Sequence, residues 1–374
     1  GVTPKNLRSA LAVSGWWILL LGRPMASSSN EAQLAQLLLA AASGDGRVRG
    51  PAQARLEELE SHPGFVPVLL AAYADANIDA QGRYLSILMC KNVIDRQWQP
   101  RSGTSISASE KVAVKEQLLR LVKVATEGGL PHLVELTLVL RRVCRFDFPM
   151  NWEGLTRFLV EELQAQRQRG FSESALALVL VLHQVLKEQS TKRLMSARRE
   201  FHHVGHLLVE AVGAVWALKM EHFRQLQRQG SLSDDRFWRL SRHLDGSFLL
   251  LLVHGIAHVH DHPSGPQMIQ MVKDQVEALL AVLQSHSQQL IQCPFFLKNL
   301  KSVLKWWALL FHAHPLAFSA ANVNAVLHCS VEVLRTLTGL QVPMEMRPWL
   351  EGLLRSQLLM LSHGFNTVTF RKGP

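Results

Sequence analysis

Proline and glycine recur at the ends of apolar, leucine-rich stretches along this chain, and that punctuation constrains the fold more than any other feature. Breaks fall at His62-Pro63-Gly64, at 100–105, at Gly128-Gly129 with Pro131, and at Pro149 and Gly170. They continue at Gly230-Ser231, His262-Pro263-Ser264-Gly265, Cys293-Pro294, His314-Pro315 and Gln341-Val342-Pro343. Proline cannot continue a helix, and glycine can close one in a left-handed conformation. Between the breaks Leu, Ala, Gln and Arg dominate, all good helix formers, with apolar residues three and four apart. Only two tyrosines occur and few segments alternate as strands do, which argues against an all-β class. Paired helices returning every ~40–50 residues describe an all-α, HEAT/ARM-like helical-repeat superhelix, with a globular helical bundle as the competing architecture. The length agrees, because 374 residues exceed the roughly 250–300 that one core supports, whereas a repeat array grows by adding units.

Local signals place individual elements. Ser28 with Glu31, and Ser107 with Glu110, have the capping-box spacing, in which hydroxyl and carboxylate each satisfy one orphan backbone N–H. After the loop SGDGRVRG, Pro51 is expected in a first helical turn, where a missing N–H is harmless. The helix over 83–98 is expected to turn Tyr84, Leu85, Leu88, Met89 and Val93 to one side. Farther on, helices are expected over 194–228, 234–260, 266–288, 295–313, 319–339 and 347–363. Ala10 to Gly22 (ALAVSGWWILLLG) is apolar but shorter than the about 20 residues that span a bilayer. Residues 1–27 are expected to lie outside the fold, as an upstream translated leader before the more ordinary start at Met25 or a disordered segment, with a secretory signal, which fits the length and the basic start at Lys5 and Arg8, as the alternative. The chain stops at FRKGP without a polar closing repeat, so the array reads as truncated at its C-terminal end.

Charge and side-chain chemistry narrow the function. Lys and Arg outnumber Asp and Glu by 40 to 30, a net +10 that favours nucleic acid, anionic lipid or an acidic partner. That charge is dispersed; Arg141-Arg142 and Arg198-Arg199 sit within helical patterns and read as solvated faces. No phosphate loop, dinucleotide fingerprint, nucleophile elbow or HExxH sequence occurs. Cys90, Cys144, Cys293 and Cys329 stand far apart without CxxC spacing, as reduced intracellular thiols do. His202 and His206, with His203 beside them, and His254 and His258 have the i,i+4 spacing that two metal ligands on one helix face require. His260 and His262 follow around Asp261. Without an evident third ligand or supporting carboxylate near the first pair, these read as surface or packed histidines. Trp306-Trp307 beside Lys301 and Lys305 is the one candidate base-stacking platform, and the flanking leucines make core packing the preferred reading. No catalytic group, cofactor or metal ion is expected, nor is a membrane or nucleic-acid partner.

One stretch is more specific. ARLEELESHPGFVPVLLAAY, then GRYLSILMCKNVIDRQW, then SISASEKVAVKEQLLRLV resembles the importin N-terminal domain that opens the importin-β (karyopherin-β) family of nuclear transport receptors. The order of features carries the resemblance: Arg83, the Lys91-Asn92 pair, Trp98, and a capped helix with Glu110-Lys111. RFDFPMNWEGL resembles the family's aspartate–proline–tryptophan step through Asp147, Pro149 and Trp152. LKEQSTKRLMSARREF is similar to the importin eleven subgroup, and the likeness reaches from about residue 31 to 370, weakening after 201.

The resemblance implies a domain plan of 28–125 as the importin N-terminal domain and 126–374 as further HEAT repeats of an incomplete array. It implies a non-enzymatic receptor that shuttles between nucleus and cytoplasm. Such a receptor binds Ran in its GTP form on inner helices, Phe-Gly nucleoporins between outer helices, and protein cargo mostly through repeats this chain lacks. Carried over by position, Lys91, Asn92, Arg96, Arg141, Arg142 and Asp147 are the expected Ran-facing residues. Arg83, Trp98, Pro149 and Trp152 are the expected structural ones. An export receptor of the same family, or a basic HEAT-repeat scaffold for nucleic acid or protein, are the alternatives. The family is usually acidic and this chain is basic, so a basic linear import signal is not expected to dock on it.

Overall fold

The structure is a computed structural model that describes residues 27–99, 105–128, 130–318, 320–339, 344 and 347–371. The apolar segment over 10–22 lies outside them, as do the side chains of Ser28, Glu31, Cys329 and Trp349. All described elements are helices, and they divide into two compact units, 1–155 and 156–374.

The first unit contains α1 (Ser27–Ala41), α2 (Gly46–Glu60), α3 (Phe65–Ala74), α4 (Ala80–Gln97), α5 (Ala108–Thr126) and α6 (Leu133–Asp147). Helix α3 packs on α4, α3 on α5, and α4 on α6, so alternate helices form two layers. Short polar links set the reversals. Asp79 accepts from Gly82 N–H at 2.6 Å to cap α4, and Ser107 accepts from Glu110 N–H at 3.2 Å to cap α5.

Three local expectations need correction. Residues 46–50 are not a loop: Asp45 caps Arg47 N–H at 2.9 Å, α2 starts at Gly46, and Pro51 lies inside it. Helix α4 buries Ser86, Ile87, Cys90, Val93 and Ile94, leaving Tyr84 exposed and Leu85, Leu88 and Met89 half-buried. It packs against α1, α3 and α6, which select the small and branched residues over the larger ones. The Ser107–Glu110 capping box closes on one side only. Backbone N–H groups of Gly64 and Val66 bond the Glu110 carboxylate, so it serves the start of α3, where Gly64 offers no side-chain cap.

Helix α7 (Glu153–Arg169) carries the unit boundary in its first turn. The second unit continues with α8 (Leu176–Ser190), α9 (Met195–Gln229), α10 (Asp235–Leu250), α11 (Gly265–Ile291), α12 (Pro294–Ala313), α13 (Ala320–Thr338) and α14 (Arg347–Arg371). Helices α8, α10, α12 and α14 pack in succession as one layer; α9, α11 and α13 form the other. Helix α9 is long and apolar enough by composition to cross a bilayer, a test that a core helix also passes. Here its apolar stripe, including Phe201, Val204, Leu208, Val212 and Trp216, is packed in the unit's core.

The helix expected over 234–260 ends early. After α10 the chain makes a π-turn over Leu251–Gly255 and a 3-10 turn over Val259–Asp261. Gly205 of α9 lies against that π-turn so closely that a Cβ on it would fall 1.9 Å from the Gly255 carbonyl oxygen. His254 and His258 therefore do not share a helix face. Among the described residues Trp98, Trp152, Trp216, Trp238 and Trp307 are buried, and Trp307 stacks edge-on with Phe318 at 5.4 Å. Trp306 is half-buried, edge-on to His254 at 5.9 Å, so it and Trp307 form no shared stacking surface. Cys90, Cys144 and Cys293 are buried thiols, none of them in a disulfide.

Candidate interface on the N-terminal helices

Helix α4 turns Lys91, Asn92, Asp95 and Arg96 to one side by i,i+3 and i,i+4 spacing. Asn92, Asp95 and Arg96 are exposed and Lys91 is half-buried. Arg96 forks onto Glu60 at the end of α2, Nε to Oε1 at 3.0 Å and Nη2 to Oε2 at 2.5 Å. Gln97 adds a 3.0 Å bond to the same carboxylate. Across the layer, Arg142 of α6 places Nε 3.0 Å from Asp95 Oδ1. The structure thus joins α2, α4 and α6 by two ion pairs along one polar face and holds two guanidinium planes there. Planar forks of this kind are well shaped for carboxylates on a protein partner.

Arg141 is half-buried next to Arg142. Asp147 stands elsewhere. Five residues on from Arg142, about 140° around the helix, it is buried and paired with Lys115 of α5 at 2.5 Å. The face is therefore built from Lys91, Asn92, Arg96 and Arg142, while Asp147 fastens α6 to α5 behind it. Glu60, Asp95 and Lys115 complete these pairs. Arg142 and Lys115 are 47 and 32 residues from their partners in sequence, so no short motif marks them.

The other four singled-out residues sit at helix joints. Arg83 Nε donates to the Tyr73 carbonyl at 2.8 Å, closing the α3–α4 turn. Tyr73 itself is buried and its hydroxyl donates to the Pro131 carbonyl at 2.6 Å; burial pushes its phenol pKa up, against the opposing pull of Arg83. Trp98 is fully buried at the end of α4, with Lys111 Nζ 5.6 Å from its ring centroid. Pro149 follows a cis peptide bond, its carbonyl accepts from Trp152 N–H at 3.2 Å, and Trp152 is buried ahead of α7.

Residues 52–123 match the family model described as the importin-beta N-terminal domain, and α3, α4, most of α2 and most of α5 lie within that match. Over 239 residues the chain is 24 % identical to the importin beta-like protein kap113 of Schizosaccharomyces pombe, covering 62 % of this chain and 24 % of that protein. Over 201 residues it is 26 % identical to importin-11 of Homo sapiens, covering 52 % and 19 %. The chain thus spans about a quarter or less of the length of either relative. Among solved structures it resembles Lph2, a bidirectional nuclear transport receptor of S. cerevisiae, with a TM-score of 0.67 and 19 % identity over 88 % of this chain and 32 % of that one; that likeness is one of fold. An all-α helical-repeat architecture, a match to the importin-beta N-terminal domain over 52–123, and relatives such as importin-11 and kap113 make this chain similar to the karyopherin nuclear transport receptors.

Proposed function

We propose that this chain supplies the Ran-binding repeats of a nuclear transport receptor of the importin-11 kind. In this reading RanGTP docks on the α4–α6 face through Lys91, Asn92, Arg96 and Arg142, with Arg141 beside them. The importin-β N-terminal domain at 52–123 carries the reading, because α4 and its polar face lie inside it. The other layer, with α3 and α5, would face Phe-Gly nucleoporins; Val112 and Val124 of α5 stand exposed there, 54 % and 42 % accessible. Cargo would be a folded protein held mainly by further repeats, since the chain's net +10 repels a basic signal peptide. The receptor would act by binding alone and shuttle through the pore. A stack of helical repeats suits this work, since each repeat touches only its neighbours, so its curvature can change and let one ligand exclude another.

The test is capture of Ran by the 374-residue chain, with Ran loaded with a non-hydrolysable GTP analogue in one arm and GDP in the other, at two salt concentrations. Selective retention of the GTP form is expected. Equal retention of both forms, or none, by a folded helical sample would remove the proposal. Adding cargo with and without the GTP form reads the direction: release marks import, co-retention export.

A further inference from the structure

We propose that the turn between the π-turn and α11 is a divalent transition-metal site of the zinc class, with His258, His260 and Asp261 as its protein ligands. One potential ligand atom from each of the three lies within 4.8 Å of those from the other two, and all three residues are exposed. His260 Nε2 and Asp261 Oδ1 are already 3.5 Å apart. Ligands about 2.0–2.1 Å from a tetrahedral ion are about 3.3 Å from one another, so that pair is at coordination spacing. The His258 and His260 rings, 5.5 Å between centroids, need only side-chain rotation to close. Two imidazoles and a carboxylate form a borderline donor set that suits Zn²⁺, Co²⁺ and Ni²⁺ better than Mg²⁺ or Ca²⁺.

The backbone beneath the three ligands is fixed. Val259 between the two histidines is fully buried, and His262 is buried and stacked on His206 at 5.3 Å. Asp261 N–H bonds the His258 carbonyl at 3.2 Å, His262 N–H bonds Val259 at 3.2 Å, and Gly265 N–H bonds His262 at 2.8 Å. Gly265 approaches so closely that a Cβ there would fall 1.9 Å from the Val259 carbonyl oxygen. Ser264 ties the end of the turn to Glu210 of α9 at 3.1 Å. Ligands on so constrained a turn lose little entropy on binding an ion.

His314 is near enough to the turn for His258 and His260 to act on it electrostatically. It is 7 % exposed and its Nε2 has no hydrogen-bond partner, while the carbonyls of Val253 and Leu252 hold its other nitrogen. Those partners assign the proton to Nδ1 and leave the Nε2 lone pair available. Burial, more than the neighbouring His258 and His260, lowers its pKa. His202 is lowered in the same direction, by burial first and then by Arg198, His206 and His258. Nothing in the transport reading uses these groups.

The test is titration of the untagged, chelator-treated 374-residue chain with Co²⁺, followed by its visible d–d absorption, and then displacement by Zn²⁺. One equivalent with a tetrahedral spectrum is expected. His260→Ala and Asp261→Asn should each weaken binding about tenfold or more, and His203→Ala should leave it unchanged. The ligand positions are exposed, so the variants are expected to melt with the parent chain. Absence of saturable cobalt binding in the micromolar range, or binding unchanged in the His258→Ala/His260→Ala double variant, overturns the proposal.

Discussion

Lys115 Nζ lies 2.5 Å from Asp147 Oδ2, and the two side chains are only 12 % and 9 % exposed. The same ammonium donates to the Asn151 carbonyl at 2.8 Å. The pair closes α5 onto the end of α6, so a residue placed by resemblance on a binding face is a fastening of the scaffold. Stranding one charge of a fully buried pair costs about 3–5 kcal/mol, and this site is slightly wetter. Asp147→Asn and Lys115→Met are each expected to lower stability by about 2–4 kcal/mol, and the double variant by less than the sum. Urea denaturation followed by helical circular dichroism measures this; strictly additive losses would show the two groups to be uncoupled.

Arg96 obeys a different rule. Its fork to Glu60 is well formed, but its side chain is 57 % exposed. Exposed pairs contribute about 0–1 kcal/mol, so Arg96→Ala should barely move the melting temperature. On the proposed Ran face the same change should weaken capture of the GTP form, and Lys91→Glu with Arg142→Glu should weaken it about tenfold or more by charge reversal. Stability and Ran affinity thus separate the two kinds of residue. Unchanged Ran binding by the double charge reversal would move the contact off this face.

Lys219 and Asp245 join α9 to α10 with almost no solvent, at 2 % and 0 % exposure and 2.6 Å apart. Trp216 Nε1 donates to the same carboxylate oxygen at 2.8 Å, and the ammonium lies 4.4 Å from the Trp216 ring centroid. Burial lowers the Lys219 pKa, opposed by Asp245. Asp245→Leu alone should cost about 3–5 kcal/mol by leaving the ammonium unpaired. Lys219→Met with Asp245→Leu should recover much of that loss, since an apolar pair of similar volume needs no desolvation. Chemical denaturation of the three variants decides it: a double variant no better than Asp245→Leu would show that the pair does more than neutralise itself.

The succession of helices was legible in the sequence because proline, glycine and capping residues act locally. The expectations over 194–228, 266–288 and 295–313 meet α9, α11 and α12 within a few residues. Misreadings arise where a distant group decides. Glu110 looks like half of its own capping box, yet its carboxylate serves Gly64 and Val66 on another helix. The helix begun at Asp235 gives way to a π-turn near Gly255, which meets Gly205 fifty positions earlier. The residues expected to face Ran were placed by resemblance; the sequence could not separate Asp147 from Arg142, because the pairing of Asp147 with Lys115 is a tertiary fact. The histidines were visible as two i,i+4 pairs, but the turn regroups them.

Acid should weaken the second unit through His243. Burial, then Arg242, Arg239 and Lys187, push this imidazole down to about 4. The ring also meets His183 edge-on at 5.3 Å. In the unfolded chain the same group takes up its proton near its ordinary value of 6.5. Between those values the unfolded state binds more protons, so stability rises with pH there. The contribution is fully present above about pH 6.5 and is lost as pH falls through about 4, at no more than about 1.4 kcal/mol per pH unit for one histidine. His254 and His314 are lowered by burial too and steepen the same slope. Denaturation midpoints measured from about pH 7 to pH 5 should therefore fall, and His243→Gln should make the fall shallower. An equally steep fall in the variant would mean that the remaining buried histidines, and not His243, govern the acid response.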